Sequence, residues 1–165
     1  MLLALDPASS KTGWAKLGHG PTLHEWGLIR RPGGSKSAGW DAVHAMTDAV
    51  ARLLADVDEV VMEGPCAHYD GSGGHASGRK AWTYAATVGA IYHAAMSAVP
   101  GGVTVKPAGW ASSKAQARLR ALALFPGGYD PTKDDKRDND GADAICLGVK
   151  WLDEVRMREL REGAA

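Results

Sequence analysis

The order of strand-like and helix-like segments constrains this chain most. Met1-Leu2-Leu3-Ala4-Leu5-Asp6 is apolar up to its last residue, the pattern of a buried strand. Asp6-Pro7-Ala8-Ser9-Ser10 then turns, because Pro7 cannot serve a central ladder and Asp and Ser favour turns. Thr12 to Leu17 returns as a second strand and Thr22 to Arg30 makes a third, so the chain opens as an antiparallel meander. Trp40, Val43, Met46, Val50, Leu53 and Leu54 recur at helical spacing. Val57 to Met62 is a short apolar strand ending at Glu63, followed by a loop rich in Gly, His and Ser from 64 to 78. A second helix is expected from Arg79 to Ala98, a strand from Val103 to Lys106, and a third helix from a Ser112 or Ser113 cap to Leu124. A polar stretch over 126–137 precedes a last helix starting near Asp138 to Asp140. The order β-β-β-α-β-α-β-α-α predicts an α/β fold with a mixed sheet of about five strands, the first three antiparallel, flanked by helices.

A chain of 165 residues suits one domain with one core, taken as 1–165. Its last stretch, 153–165, is charged and then small, and is expected to fray. No apolar run reaches the length of a membrane span, and the start turns acidic too soon for a signal peptide. Two cysteines, Cys66 and Cys146, offer no disulfide framework, so a reducing cytoplasm is the expected setting. Lysine plus arginine number 19 and aspartate plus glutamate 19, so any field that attracts nucleic acid must come from local clustering.

Carboxylates stand at the ends of elements. Asp6 closes the first strand and Glu63 the fourth, while Asp140 and Asp143 lie three apart at the start of the last helix and share a face. If the first and fourth strands are neighbours, Asp6 and Glu63 sit side by side, and the last helix can bring its two acids against them. Each alone has an ordinary reading: an Asx turn at Asp6, a solvated strand end at Glu63, a helix cap at Asp140. Together they would repel, and a hard divalent cation relieves that repulsion through carboxylate oxygens.

The first of these segments, Asp6-Pro7-Ala8-Ser9-Ser10-Lys11-Thr12-Gly13-Trp14, resembles the opening motif of the RuvC family of Holliday-junction resolvases, Asp-Pro-Gly-Ser-x-x-Thr-Gly-aromatic. Val60-Val61-Met62-Glu63 resembles the family's second acidic motif, and Asp140-Gly141-Ala142-Asp143-Ala144 its third, His-x-Ala-Asp-Ala. Two positions depart from the pattern: Ala8 replaces Gly, and Asp140 stands where cellular members usually carry His. The resemblance covers nearly the whole chain and implies a ribonuclease H-like fold. It also implies a metal-dependent crossover junction endodeoxyribonuclease that cuts four-way and other branched DNA as a homodimer. On that reading Asp6, Glu63, Asp140 and Asp143 are catalytic and hold two Mg²⁺ (or Mn²⁺) ions.

The same resemblance places the loop over 64–79 at the junction centre, with His68 and Tyr69 available to stack on bases, and Lys106 near the scissile phosphate. Local basic groups at Arg79 and Lys80, and at Lys114 and Arg118 on one helix face, suit phosphate contact. Arg30, Arg31 and Lys36 form another such group, as do Lys133, Lys136 and Arg137. The helix over 79–98, with Trp82, Tyr84, Ile91, Tyr92 and Met96, carries more apolar surface than one stripe requires and is expected at a dimer interface.

Other chemistries fit less well. Cys66, His68 and His75 match no closed zinc pattern, Gly71-Ser72-Gly73 is not a nucleophile elbow, and no P-loop is present. Two alternatives stay open: a non-catalytic branched-DNA-binding module of the same fold, and an actin-like or sugar-kinase-like ATPase lobe.

Overall fold

The computed structural model describes residues 1–8, 10–20, 22–32, 39–64, 78–107, 114–134 and 139–164, and within these the side chains of 78–81, 114 and 115 are left undescribed. Three strands come first: β1 (Leu2–Pro7), β2 (Lys11–Leu17) and β3 (Leu23–Arg30). Then follow α1 (Trp40–Leu53), β4 (Glu59–Glu63), α2 (Gly78–Ala98), β5 (Val103–Lys106), α3 (Lys114–Leu124) and α4 (Asp140–Glu162). The strands form one sheet in the order β3-β2-β1-β4-β5. β1 and β2 pair antiparallel, as do β2 and β3, whereas β4 lies parallel to β1 and β5 parallel to β4. The predicted mixed sheet of five strands, with its antiparallel opening, is the one found.

Two cores cover the two faces. Alternation along β1 sends Leu2 and Ala4 to one side and Leu3 and Leu5 to the other. Leu2, Ala4, Ala15, Leu17 and Val61 pack with α3 and α4 through Ala117, Ile145 and Trp151. Leu3, Leu5, Val60 and Met62 pack with α1 and α2 through Val50, Val88 and Ile91. Because β1 is sandwiched between layers, both of its faces are apolar.

Boundaries moved where local hydrogen bonding overrides apolar pattern. Val57, expected to start β4, instead donates its N–H to Leu54 O in the turn that leaves α1, so pairing begins at Glu59. The segment 153–165, expected to fray, is helical up to Glu162, and Val155 packs on the α3–α4 core. Among the described residues, no helix is long and apolar enough to cross a membrane.

Helix α4 lies unusually close to the sheet. A Cβ placed on Gly148 would stand 2.4 Å from Leu17 Cδ1 and 3.0 Å from Ala4 Cβ. Gly148→Val therefore forces α4 off β1 and β2, and overpacking of this kind costs about 1–3 kcal/mol. Urea denaturation is expected to show a loss of that size at unchanged slope; an unaltered midpoint would show that the contact is not tight.

Candidate active site

The pairing register builds the site from the sheet outward. β1 and β4 are matched at Leu5 and Met62, so the next residues, Asp6 and Glu63, are neighbours at the carboxyl ends of two parallel strands. Counting by twos from Leu2 and Ala4 puts Asp6 on the α4 face, and counting from Val61 puts Glu63 there too. The first turn of α4 arrives on this same face. Asp140 and Asp143, three apart, both project from it.

Asp6, Asp140 and Asp143 each bring a carboxylate oxygen into a group whose members lie within 4.8 Å of one another. Glu63 joins through a hydrogen bond with Asp6. Burial pushes the Asp6 carboxyl well above the usual carboxylate range, and the Glu63 charge and hydrogen bond push it further, followed by the charges of Asp140 and Asp143. Burial and these acidic neighbours thus favour the protonated form of Asp6.

Two features that sequence reasoning missed hold α4 in place. Gly13, in β2, faces the backbone of Asp140, and a Cβ there would fall 1.9 Å from the Asp140 carbonyl oxygen, so only glycine admits the helix end. The helix N-terminus is capped from outside its own sequence. Asn139 precedes α4 in the left-handed region (φ 56°, ψ 32°) and makes no side-chain cap. Buried Asp134 takes over, accepting from Gly141 N–H at 3.1 Å and Ala142 N–H at 2.9 Å. The Tyr129 hydroxyl donates to the same carboxylate at 2.7 Å, and its ring packs on Trp26 with centroids 4.8 Å apart. Burial and the Asp134 carboxylate raise the Tyr129 phenol above its ordinary value, so it stays a donor. Asp134 lies within the stretch read as a polar loop, where nothing in the sequence links it to a helix seven residues on.

A third missed residue is Lys11. Its Nζ lies 3.1 Å from Asp140 Oδ2, with side chains only 11% and 4% exposed. Counting back by twos from Leu17 and Ala15 would have placed it on the α4 face.

The other predicted residues are placed as follows. Lys106 ends β5 in register with Glu63, and its ammonium bonds both Glu154 oxygens at 2.9 and 3.1 Å and lies 4.7 Å from the centre of the Trp151 ring. Arg118, on α3, hydrogen-bonds the Tyr129 hydroxyl. Arg79 and Lys80 stand in the first turn of α2 and Lys114 opens α3, with side chains outside the described residues. His68 and Tyr69 lie outside the described residues, as do Cys66 and His75 of the zinc alternative.

Against solved structures, Thermus thermophilus RuvC in complex with a Holliday junction substrate matches with a TM-score of 0.69. The sequences are 17% identical, and the match covers 94% of this chain and 95% of that one. The chain has the fold of RuvC. A second Thermus thermophilus RuvC structure matches at a TM-score of 0.65 and 18% identity, again over 94% and 95% of the two chains. No family model matches the sequence, and no curated protein does. The likeness to these RuvC structures thus spans 94% of the chain while most side chains differ.

On this RuvC fold the carboxylate cluster should leave a mark on stability. The native state holds the Asp6 proton more tightly than the unfolded chain, whose carboxylates titrate near about 4. Between that value and the raised one the native state binds more protons, so stability falls as pH rises. Asp56, Asp58 and Asp130 are held low by Lys16, the N-terminal amine and Thr132, and titrate below that window. Thermal melts of chelator-treated protein, taken upward from about pH 4, are expected to show a midpoint that declines as the pH rises towards the raised Asp6 value. Asp6→Asn should flatten the decline and melt higher at neutral pH; an unchanged slope would remove Asp6 as its source. Asp134→Ala strands two helix N–H groups and a phenol, an expected loss of about 2–3 kcal/mol by urea denaturation, against about 1 kcal/mol for Tyr129→Phe.

Proposed function

We propose that the chain is a metal-dependent endodeoxyribonuclease that resolves four-way DNA junctions. The observation that carries this reading is the convergence of Asp6, Asp140 and Asp143, with Glu63 bonded to Asp6, at one edge of a RuvC fold. The donor set fits hard divalent cations: every ligand is a carboxylate oxygen, and those of Asp6, Asp140 and Asp143 lie within 4.8 Å of one another. Asp6, Glu63, Asp140 and Asp143 would hold two Mg²⁺ or Mn²⁺ ions. Such ions supply activation of water and neutralisation of charge on the leaving 3′ oxygen.

The chain's own residues have defined work around them. Bound cations would favour the ionised form of Asp6, leaving both of its oxygens available as ligands. Asp134 and Gly13 fix the first turn of α4, and so the positions of Asp140 and Asp143. Lys106, held by Glu154 and the Trp151 ring, is the fixed basic group nearest Glu63 in the sheet register and is assigned to the phosphate backbone. Arg79, Lys80, Lys114 and Arg118 are assigned to phosphates further out, and His68 and Tyr69 to bases at the branch point.

Two coordinated nicks call for two such sites related by a two-fold axis. We assign the interface to α2, where Trp82, Tyr92 and Met96 are exposed beside a groove of about 300 Å³ lined by Val88, Tyr92 and Val105. Ile91, at first counted with this face, belongs to the α1–α2 core and is fully buried. Sedimentation is expected to find a dimer at micromolar concentration and a folded monomer for Tyr92→Asp.

The deciding test is cleavage of a synthetic four-way junction beside a linear duplex of matched sequence, with Mg²⁺, with Mn²⁺ and with chelator. Symmetric cutting of the junction alone, lost with chelator and in Asp6→Asn, Glu63→Gln and Asp143→Asn, is the expected result. Tight binding without cutting would replace the nuclease with a binding module, and no junction binding would end the reading.

A further inference from the structure

Lys11 is an odd neighbour for a cluster of metal-holding acids. A divalent cation and a lysine ammonium compete for the same carboxylate oxygens, and an ammonium within a few ångströms repels an incoming ion. Yet Lys11 Nζ lies 3.1 Å from Asp140 Oδ2, and Asp140 is one of the three residues whose oxygens converge.

Neither partner has room to withdraw. Lys11 starts β2, paired with Arg30 of β3, and its side chain is 11% exposed. Asp140 is 2% exposed, and its backbone is pressed against Gly13, two residues along the same strand. The ion pair is therefore part of how α4 docks on β2. The ammonium sits on the Asp140 side of the cluster, while Glu63 bonds Asp6 on the β4 side.

We propose that Lys11 is a built-in cation on the Asp140 side of the cluster, a positioning residue that makes the two divalent-ion positions unequal. Resting on the metal-dependent reading above, Asp6, Glu63, Asp140 and Asp143 would hold the ions, and an ion that draws on Asp140 would share that carboxylate with the Lys11 ammonium. Such an ion would bind more weakly than one held by the other acids until the negative charge of a substrate phosphate is added. In the free protein Lys11 thus stands in for part of the second ion's charge, and cation occupancy becomes tied to the presence of DNA.

The test is Mn²⁺ binding to the full-length chain without DNA, followed by calorimetry and by the electron paramagnetic resonance signal of free Mn²⁺. Wild type is expected to bind one ion firmly and a second at least about ten-fold more weakly. Lys11→Gln keeps a polar N–H group beside Asp140 but removes the charge, and should bring the second ion to within a few-fold of the first. Lys11→Met should do the same, and Lys11→Arg should restore the unequal pattern, which a purely structural role for Lys11 would not produce. Two equal ions in wild type, or isotherms for Lys11→Gln and Lys11→Met that overlay wild type, would overturn the proposal and leave the nuclease reading standing. Wild type that binds no Mn²⁺ would overturn both. Unequal binding that Lys11→Gln evens out, in a chain that cuts no junction, would uphold Lys11 and sink the nuclease.

Discussion

Mutual repulsion among carboxylates is the constraint around which this molecule is organised. Asp6 and Glu63 are set side by side by a parallel register that the apolar residues of β1 and β4 impose, and α4 then adds two more acids. Each source of relief visible in the structure is specific. Burial and the hydrogen bond with Glu63 favour the protonated form of Asp6. The Lys11 ammonium meets Asp140. The N-terminal end of the α4 dipole favours negative charge in the first turn, where Asp140 and Asp143 sit. Asp140 is served by both Lys11 and the helix end, Asp143 by the helix end and Asp6 by its own proton affinity, so the cluster does not depend on one counter-charge.

Helix α4 carries the cost of that arrangement and is anchored accordingly. Its small residues let it approach β1 and β2 closely, with Gly148 against Leu17 and Asp140 against Gly13. Its N-terminus borrows Asp134 as a cap, tying it through Tyr129 and Trp26 to β3 and to the turn after α3. Further along, Trp151 donates to Glu59 at 2.8 Å, and Glu154 holds Lys106. One helix thus spans from the edge strand on one side, through the acidic centre, to the edge strand on the other. A shift of its axis would move Asp140, Asp143 and Lys106 relative to Asp6 together.

The legibility of this design in the sequence followed the range of the interactions. Strand and helix order rests on periodicity, whereas the meeting of Asp6, Glu63, Asp140 and Asp143 was legible only on the condition that β1 and β4 be neighbours and through the resemblance of motifs a few residues long. Lys11 and Asp134 act through contacts separated by 129 and by seven or eight residues, respectively, from the groups they serve. Asp134 sits in a Pro- and Gly-rich stretch whose pattern announces only a turn. Ile91 shows the opposite failure: a crowded apolar helix suggested surplus surface, but a helix facing both β1 and α1 needs a wide apolar arc, and Ile91 lies inside it. The tail over 153–162 looked detachable because its charges were read as solvated, whereas Glu154 and Val155 have partners in the fold.

Net neutrality, at odds with a nucleic-acid partner when taken as a total, looks different once charges are located. At the amino end of β1, acids are matched by bases: Asp58 by the Met1 amine and Asp56 by Lys16. At the carboxyl end Asp6, Glu63, Asp140 and Asp143 gather, with Lys11 paired to Asp140. The zero sum thus hides an uneven layout: exposed acids at the amino end are ion-paired, while at the carboxyl end the acidic cluster lies between basic residues of the neighbouring strands, Lys11 and Arg30 on one side and Lys106 on the other. A polyanion brought to that edge meets repulsion unless cations arrive first or with it. The proposed chemistry and the charge distribution therefore make the same demand: what neutralises the carboxylates is also what lets a phosphate approach them.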